Sequence, residues 1–87
     1  MNRLRLYGFD GCPFCRDLKK LFDENELDYV YVDINLDENK EESDKIFELG
    51  KSESVPMVLV NNTLLSPEKS FFSIEEALEL TKKFLNQ

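Results

Sequence analysis

Apolar and polar residues alternate from Arg3 to Tyr7, with Leu4 and Leu6 on one side and Arg3 and Arg5 on the other, the two-residue period of a half-buried strand. The period then lengthens. Phe14, Leu18, Leu21 and Phe22 recur at helical spacing, with Arg16, Lys19, Lys20 and Asp23 facing out, and this helix is expected to end near Asn25. Tyr29 to Asp33, aromatic and β-branched, predicts a second strand; a crossover of this length implies a parallel, right-handed βαβ unit. Leu36 to Leu49 is charged at first and apolar only at Ile46, Phe47 and Leu49, which predicts a helix with a narrow buried face, capped at its C-terminus by Gly50. Met57 to Val60 reads as a buried strand. Asn61-Asn62, tolerant of positive φ, signals a hairpin into a short strand at Leu64-Leu65. Ser73 and Glu76 form a capping box ahead of Ile74, Ala77, Leu78, Thr81 and Leu85, so the last element is an amphipathic helix. The predicted order is βαβαββα.

Composition adds limits to this order. Residues 1–87 are expected to form one α/β domain with a single core. Apolar residues make up 41% and charged residues 33%, as in an ordinary soluble protein, and no apolar run reaches the length of a membrane span. The start, Met1 to Arg5, lacks the apolar stretch of an export signal, which points to the cytoplasm. The net charge of −7 is concentrated: residues 23–48 hold 11 acidic and 2 basic side chains, a balance of −9, which leaves +2 for the rest. Such a surface excludes nucleic acid as the expected partner, and the acidic run reads first as a solvated helix face.

The candidate chemistry lies in Gly11-Cys12-Pro13-Phe14-Cys15, which holds both cysteines of the chain. Sulfurs at i and i+3 fall on one helix face, able to close a small disulfide or to share a metal. Pro13 suits the first helical position, which puts Cys12 at the N-cap, where unpaired N–H groups and the helix dipole favour thiolate over thiol. Cys12 is thus the candidate nucleophile, and Cys15, one turn deeper, the thiol placed to resolve a mixed disulfide. Inert buried cysteines, a structural disulfide and half of a metal site are the plain alternatives. A closed zinc site wants four ligands, and a chain with two Cys and no His would have to use carboxylates, so no metal site is assigned.

Along nearly its whole length the chain resembles a glutaredoxin, of the thioredoxin superfamily. The carrying residues are Tyr7 and Gly8 at the end of the first strand, Cys12-Pro13-Phe14-Cys15, the Ser54-Val55-Pro56 step and the Met57 to Val60 strand. The resemblance implies a thioredoxin-like fold with a four-stranded mixed sheet and three helices. It implies a thiol-disulfide oxidoreductase, a monomer with no tightly bound cofactor, that uses glutathione as co-substrate to reduce protein disulfides and glutathione mixed disulfides. On it, Cys12 is the attacking thiolate and Cys15 the resolving thiol; Tyr7, Pro13 and Phe14 line the substrate groove. Val55 offers its backbone to substrate as an added strand does, and the Val55–Pro56 bond is cis.

Departures from the family pattern qualify the glutathione site. The family's Lys before the first cysteine is replaced by Phe9-Asp10-Gly11, with Arg16 in partial compensation. The cation expected before the Val-Pro step is represented by Lys51, with Glu53 nearer. The family's Gly-Gly pair is Ser66-Pro67, followed by Glu68, Lys69 and Ser70, of which Lys69 and Ser70 are expected to hold the glutathione carboxylate. Two other functions are carried beside the main one. The first is a redoxin that donates electrons to ribonucleotide reductase and is recharged by a flavoprotein thioredoxin reductase. The second is a dimer that holds an iron-sulfur cluster through Cys12 and glutathione; Pro13 and Cys15 argue against it, since they stiffen the loop and offer a competing disulfide.

Overall fold

A computed structural model describes residues 4–51 and 54–86. Arg3 and Glu53, named above for the first strand and for the approach to the Val-Pro step, lie outside the described residues. Four strands, β1 (Leu4–Gly8), β2 (Val30–Asp33), β3 (Met57–Val60) and β4 (Thr63–Leu65), form one sheet in the order β2-β1-β3-β4. β1 runs parallel to β2, with Arg5 opposite Val30, and antiparallel to β3, with Leu6 opposite Val58. The helices are α1 (Pro13–Glu24), α2 (Lys40–Gly50) and α3 (Ile74–Leu85). The thioredoxin-like order expected from the sequence is therefore the observed one.

The strand period sorts the core into two faces. Leu4, Leu6, Val58, Val60 and Leu65 point to one side, where Leu18 and Phe22 of α1 and Ala77 and Leu78 of α3 pack on them. Tyr7, Val32 and Met57 point to the other, where Ile46, with Phe47 beside it, packs with them from α2. Each fully buried side chain of this size contributes roughly 1.5–3 kcal/mol. The first face, with Leu4, Leu6, Leu18, Phe22, Val58, Val60 and Ala77 at zero exposure, thus carries most of the stability, and α2 is the weakly anchored helix.

Local differences from the sequence-based expectations have local causes. The helical period puts Phe14 in the buried stripe of α1, but Phe14 is 65% exposed; the buried positions are Cys15, Leu18 and Phe22, and Leu21 is half-buried. The helix expected from Leu36 opens as a 3₁₀ turn at Asp37–Asn39 before α2 begins. Gly50 is not the left-handed cap: it is the last residue of α2, and Lys51 takes the left-handed conformation at φ 51°. Gly50 serves close packing instead, since a Cβ there would lie 3.0 Å from Ser66 Oγ and 3.2 Å from Leu64 Cδ2. The Asn61-Asn62 turn forms as expected, with φ of 48° and 72° and Val60 opposite Thr63. Asn61 also donates its side-chain N–H to the Phe84 carbonyl at 2.9 Å, which ties the hairpin to the end of α3. Ser73 Oγ accepts from the Glu76 N–H at 3.1 Å, and the Glu76 carboxylate reaches back to the Phe72 N–H at 2.6 Å.

On the α2 face Glu42 accepts from Arg5 Nε at 2.8 Å and from the Tyr7 hydroxyl at 2.6 Å. Burial works to raise the Glu42 pKa, but the bonds from Tyr7 and Arg5 outweigh it and hold the carboxyl below its usual value. The folded state binds the ionised form better, so this stability is present above the ordinary carboxylate pKa and is lost as pH falls through the lower folded value. Tyr7→Phe is expected to cost about 1 kcal/mol at neutral pH, and the cost should shrink at acid pH, below the ordinary carboxylate range, as the carboxylate takes up a proton. Urea unfolding of both proteins at the two pH values checks this; a pH-independent difference would contradict it.

Candidate active site

The turn that leaves β1 closes with the Cys12 N–H donating to the Phe9 carbonyl at 3.1 Å, which brings Cys12 to the N-cap of α1 with Pro13 as first helical residue. Extended backbone at Cys12, φ −95° and ψ 112°, turns its side chain back over the first turn. Cys12 Sγ there accepts the Cys15 N–H at 3.2 Å, and on its other side lies 4.0 Å from the Val55 carbonyl oxygen. Cys12 is 8% exposed and Cys15 not at all; both are free thiols.

Burial, and next the hydrogen bond with Cys12, push the Cys15 thiol up to about 12, so at neutral pH it keeps its proton. Room for that sulfur comes from Gly8. A Cβ on Gly8 would stand 2.7 Å from Cys15 Sγ and 2.9 Å from Cys15 Cβ, closer than any side chain allows. The sequence shows Gly8 as part of a motif at the end of the first strand; its steric function is not visible there. Tyr31 borders the same space: its hydroxyl oxygen is 3.3 Å from that Cβ position, and burial, then the nearby Cys15, raise its pKa to about 12.

The Val55–Pro56 peptide is cis, and Pro56 is buried. Beside it opens a groove of about 600 Å³, lined by Phe14, Val55 and Pro56, by Pro67 and Glu68, and by Phe71 to Glu75 where α3 begins. Phe14 and Phe72 both stand in it largely exposed, at 65% and 77%. Phe71 and Phe72 are not among the residues expected from the sequence; the signal for them is an apolar pair directly ahead of the Ser73 cap.

Five residues expected at the groove, Tyr7, Pro13, Lys51, Lys69 and Ser70, are not in its lining. Tyr7 is 1% exposed on the α2 face, because the strand period that turns Leu6 and Gly8 toward α1 turns Tyr7 away. Lys51 caps α2, and its carbonyl accepts from Lys69 Nζ at 2.9 Å. Lys69 Nζ also donates to the Gly50 carbonyl at 2.7 Å, so its charge sits at the C-terminal end of α2. Ser70 Oγ accepts from the Ser66 N–H, and the N–H groups of both Lys69 and Ser70 donate to the Ser66 carbonyl. The groups expected to hold a carboxylate thus close the loop that follows β4. Pro13 is exposed at the start of α1, beside Cys12. Among the described residues no group of three or more His, Cys, Asp or Glu side chains converges on a metal site.

The family model for glutaredoxin matches residues 4–65 of this chain. Glutaredoxin 1 of Rickettsia conorii (strain ATCC VR-613 / Malish 7) is 24% identical over 87 residues, which span 100% of this chain and 85% of that protein. Among solved structures, the glutaredoxin grx-1 from Archaeoglobus fulgidus aligns with a TM-score of 0.72 at 20% identity, over 100% of this chain and 89% of that one. A buckwheat glutaredoxin-glutathione complex aligns with a TM-score of 0.70 at 16% identity, over 97% of this chain and 72% of that one.

The different burial of the two sulfurs predicts a strict order of modification. Brief treatment of the reduced, native protein with iodoacetamide at neutral pH is expected to label Cys12 and leave Cys15 unlabelled, as fragment masses will report. Label on Cys15 first would contradict the geometry.

Proposed function

The chain belongs to the glutaredoxin family and is a thiol-disulfide oxidoreductase; we propose that it works by a dithiol cycle in which Cys12 attacks and Cys15 resolves. The observation that carries this reading is the Cys15 N–H aimed at Cys12 Sγ at 3.2 Å, at a sulfur that borders the Val55 carbonyl while Cys15 lies beneath, protonated. The Cys12 thiolate attacks one sulfur of a substrate disulfide; an S–S bond forms between them, the substrate bond breaks, and the second substrate sulfur leaves as a thiolate that takes up a proton. Cys15 then attacks the Cys12 sulfur as it gives up its proton; the Cys12–substrate S–S bond breaks, and the first substrate sulfur leaves as a thiolate that takes up a proton. The products are a Cys12–Cys15 disulfide and a substrate reduced by two electrons. Two molecules of glutathione, or a flavoprotein reductase, return the electrons. A reducing compartment, the cytoplasm, suits such a cycle, and a monomer suffices for it.

Glutathione is the co-substrate that family membership supports, and ribonucleotide reductase is one protein target such a cycle could supply. The local chemistry argues for weak glutathione use: Lys69 and Ser70 are engaged in the loop, Pro67 has no N–H, and Glu68 lines the groove. These facts favour as second reading a donor of electrons to proteins, recharged by a flavoprotein thioredoxin reductase.

Cys12→Ser is expected to abolish all turnover. Cys15→Ser is expected to keep the reduction of glutathione mixed disulfides and to lose that of protein disulfides. Turnover of an insulin disulfide by the native protein, followed with glutathione and its reductase or with thioredoxin reductase and NADPH, separates the two electron sources. Full activity of Cys12→Ser in either assay would refute the cycle.

A further inference from the structure

We propose that the groove beside Cys12 is a peptide cleft that selects disulfide-bearing segments with an apolar side chain next to the cysteine and with Lys or Arg flanking it. The inference rests on the dithiol reading above and names the substrate class of that same site. Two phenylalanines that water would normally drive inward, Phe14 and Phe72, stand exposed on it beside Phe71, and an apolar side chain of a partner would cover them. The cis Val55–Pro56 step forms its wall next to the reactive sulfur, so a segment held there would bring its disulfide to Cys12.

Charge decides which segment fits. Asp17 from α1, Glu68 from the loop after β4 and Glu75 from α3 all line the cleft, all exposed, so the carboxylates come from three separate elements around it. Among the described residues that line it there is no Lys or Arg. Lys69, two residues beyond Pro67, is turned onto the Gly50 and Lys51 carbonyls. At the start of α3 the Phe72 N–H, a donor an incoming carboxylate could use, already holds the Glu76 carboxylate. Glutathione, with two carboxylates against one ammonium, meets a field of its own sign here, whereas a segment with flanking cations meets the opposite sign. Focused fields in a cleft change association rates by about 10- to 1,000-fold and weaken as salt shortens the screening length.

The test uses the full reduced chain and two synthetic peptides, each cyclised by one disulfide with a Phe beside it. In one, Lys and Arg flank the disulfide; in the other, Glu takes their places. Second-order rate constants for their reduction are measured at low salt and at about 0.5 M salt. The expected result is about tenfold faster reduction of the basic peptide at low salt, with the gap closing at high salt. The double variant Glu68→Gln and Glu75→Gln is expected to narrow the gap at low salt; the salt series on the native chain probes the same field without any substitution. Equal rates at low salt, or faster reduction of the acidic peptide, would overturn the cleft's selectivity and leave the dithiol cycle standing. Failure to reduce either peptide, with no Cys12–Cys15 disulfide formed, would overturn both.

Discussion

The Cys15 N–H directed at Cys12 Sγ is a constraint that several separate features of the chain combine to maintain. It exists only while Cys12 is the N-cap, which Pro13 favours by fitting the first helical position and the Phe9–Cys12 turn favours by closing behind it. The helix must also hold its depth and rotation. Leu18 and Phe22, buried completely against β1 and β3, fix both, and Gly8 admits Cys15 close to the strand backbone. Had the helix started one residue later, the same pair of sulfurs would have lost the distinction between one that faces a partner and one that lies in the core.

The two faces of the sheet divide stability from recognition unevenly. The face covered by α1 and α3 holds the larger core, and its edge becomes the groove, so the parts that touch a substrate are carried on the best-anchored elements. The other face holds α2 through a small apolar cluster and through Glu42 with Arg5 and Tyr7. Much of the acidic run falls on and around α2, and its exposed carboxylates there are solvated. The carboxylates that bear on recognition are different ones, Asp17, Glu68 and Glu75, placed by the fold around the groove.

Much of this was legible in the sequence wherever the deciding chemistry was local. Pro13 after Cys12, the Ser73 cap and Asn61-Asn62 each specify their own backbone and formed as expected, while the Glu76 carboxylate of the predicted capping box bonds one residue further back, at the Phe72 N–H. The cis Val55–Pro56 bond came from resemblance, since local preference alone disfavours it. What stayed hidden depended on distant partners. Alternation in β1 shows that Leu6 and Tyr7 face opposite ways, but both faces of this strand are covered, so it cannot tell which one meets the reactive helix. Gly50 is explained by Ser66 and Leu64, and Gly8 by Cys15, contacts that no residue pattern announces. The loop after β4 misled because its course is set by its own hydrogen bonds: Lys69 and Ser70 turned inward to close it, and the residues that line the groove came from either side of them, Pro67 and Glu68 before and Phe71 onward after.

The central claim is the division of labour between the two sulfurs, and the most direct measurement of it is where a substrate is captured. The reduced native protein is mixed with a disulfide substrate, quenched with acid at short times, and mapped by fragment mass spectrometry. The account predicts that the transient substrate adduct is on Cys12 alone and decays into a Cys12–Cys15 disulfide that lacks two hydrogens. An adduct on Cys15, or one on Cys12 that persists while Cys15 remains a free thiol, would contradict it.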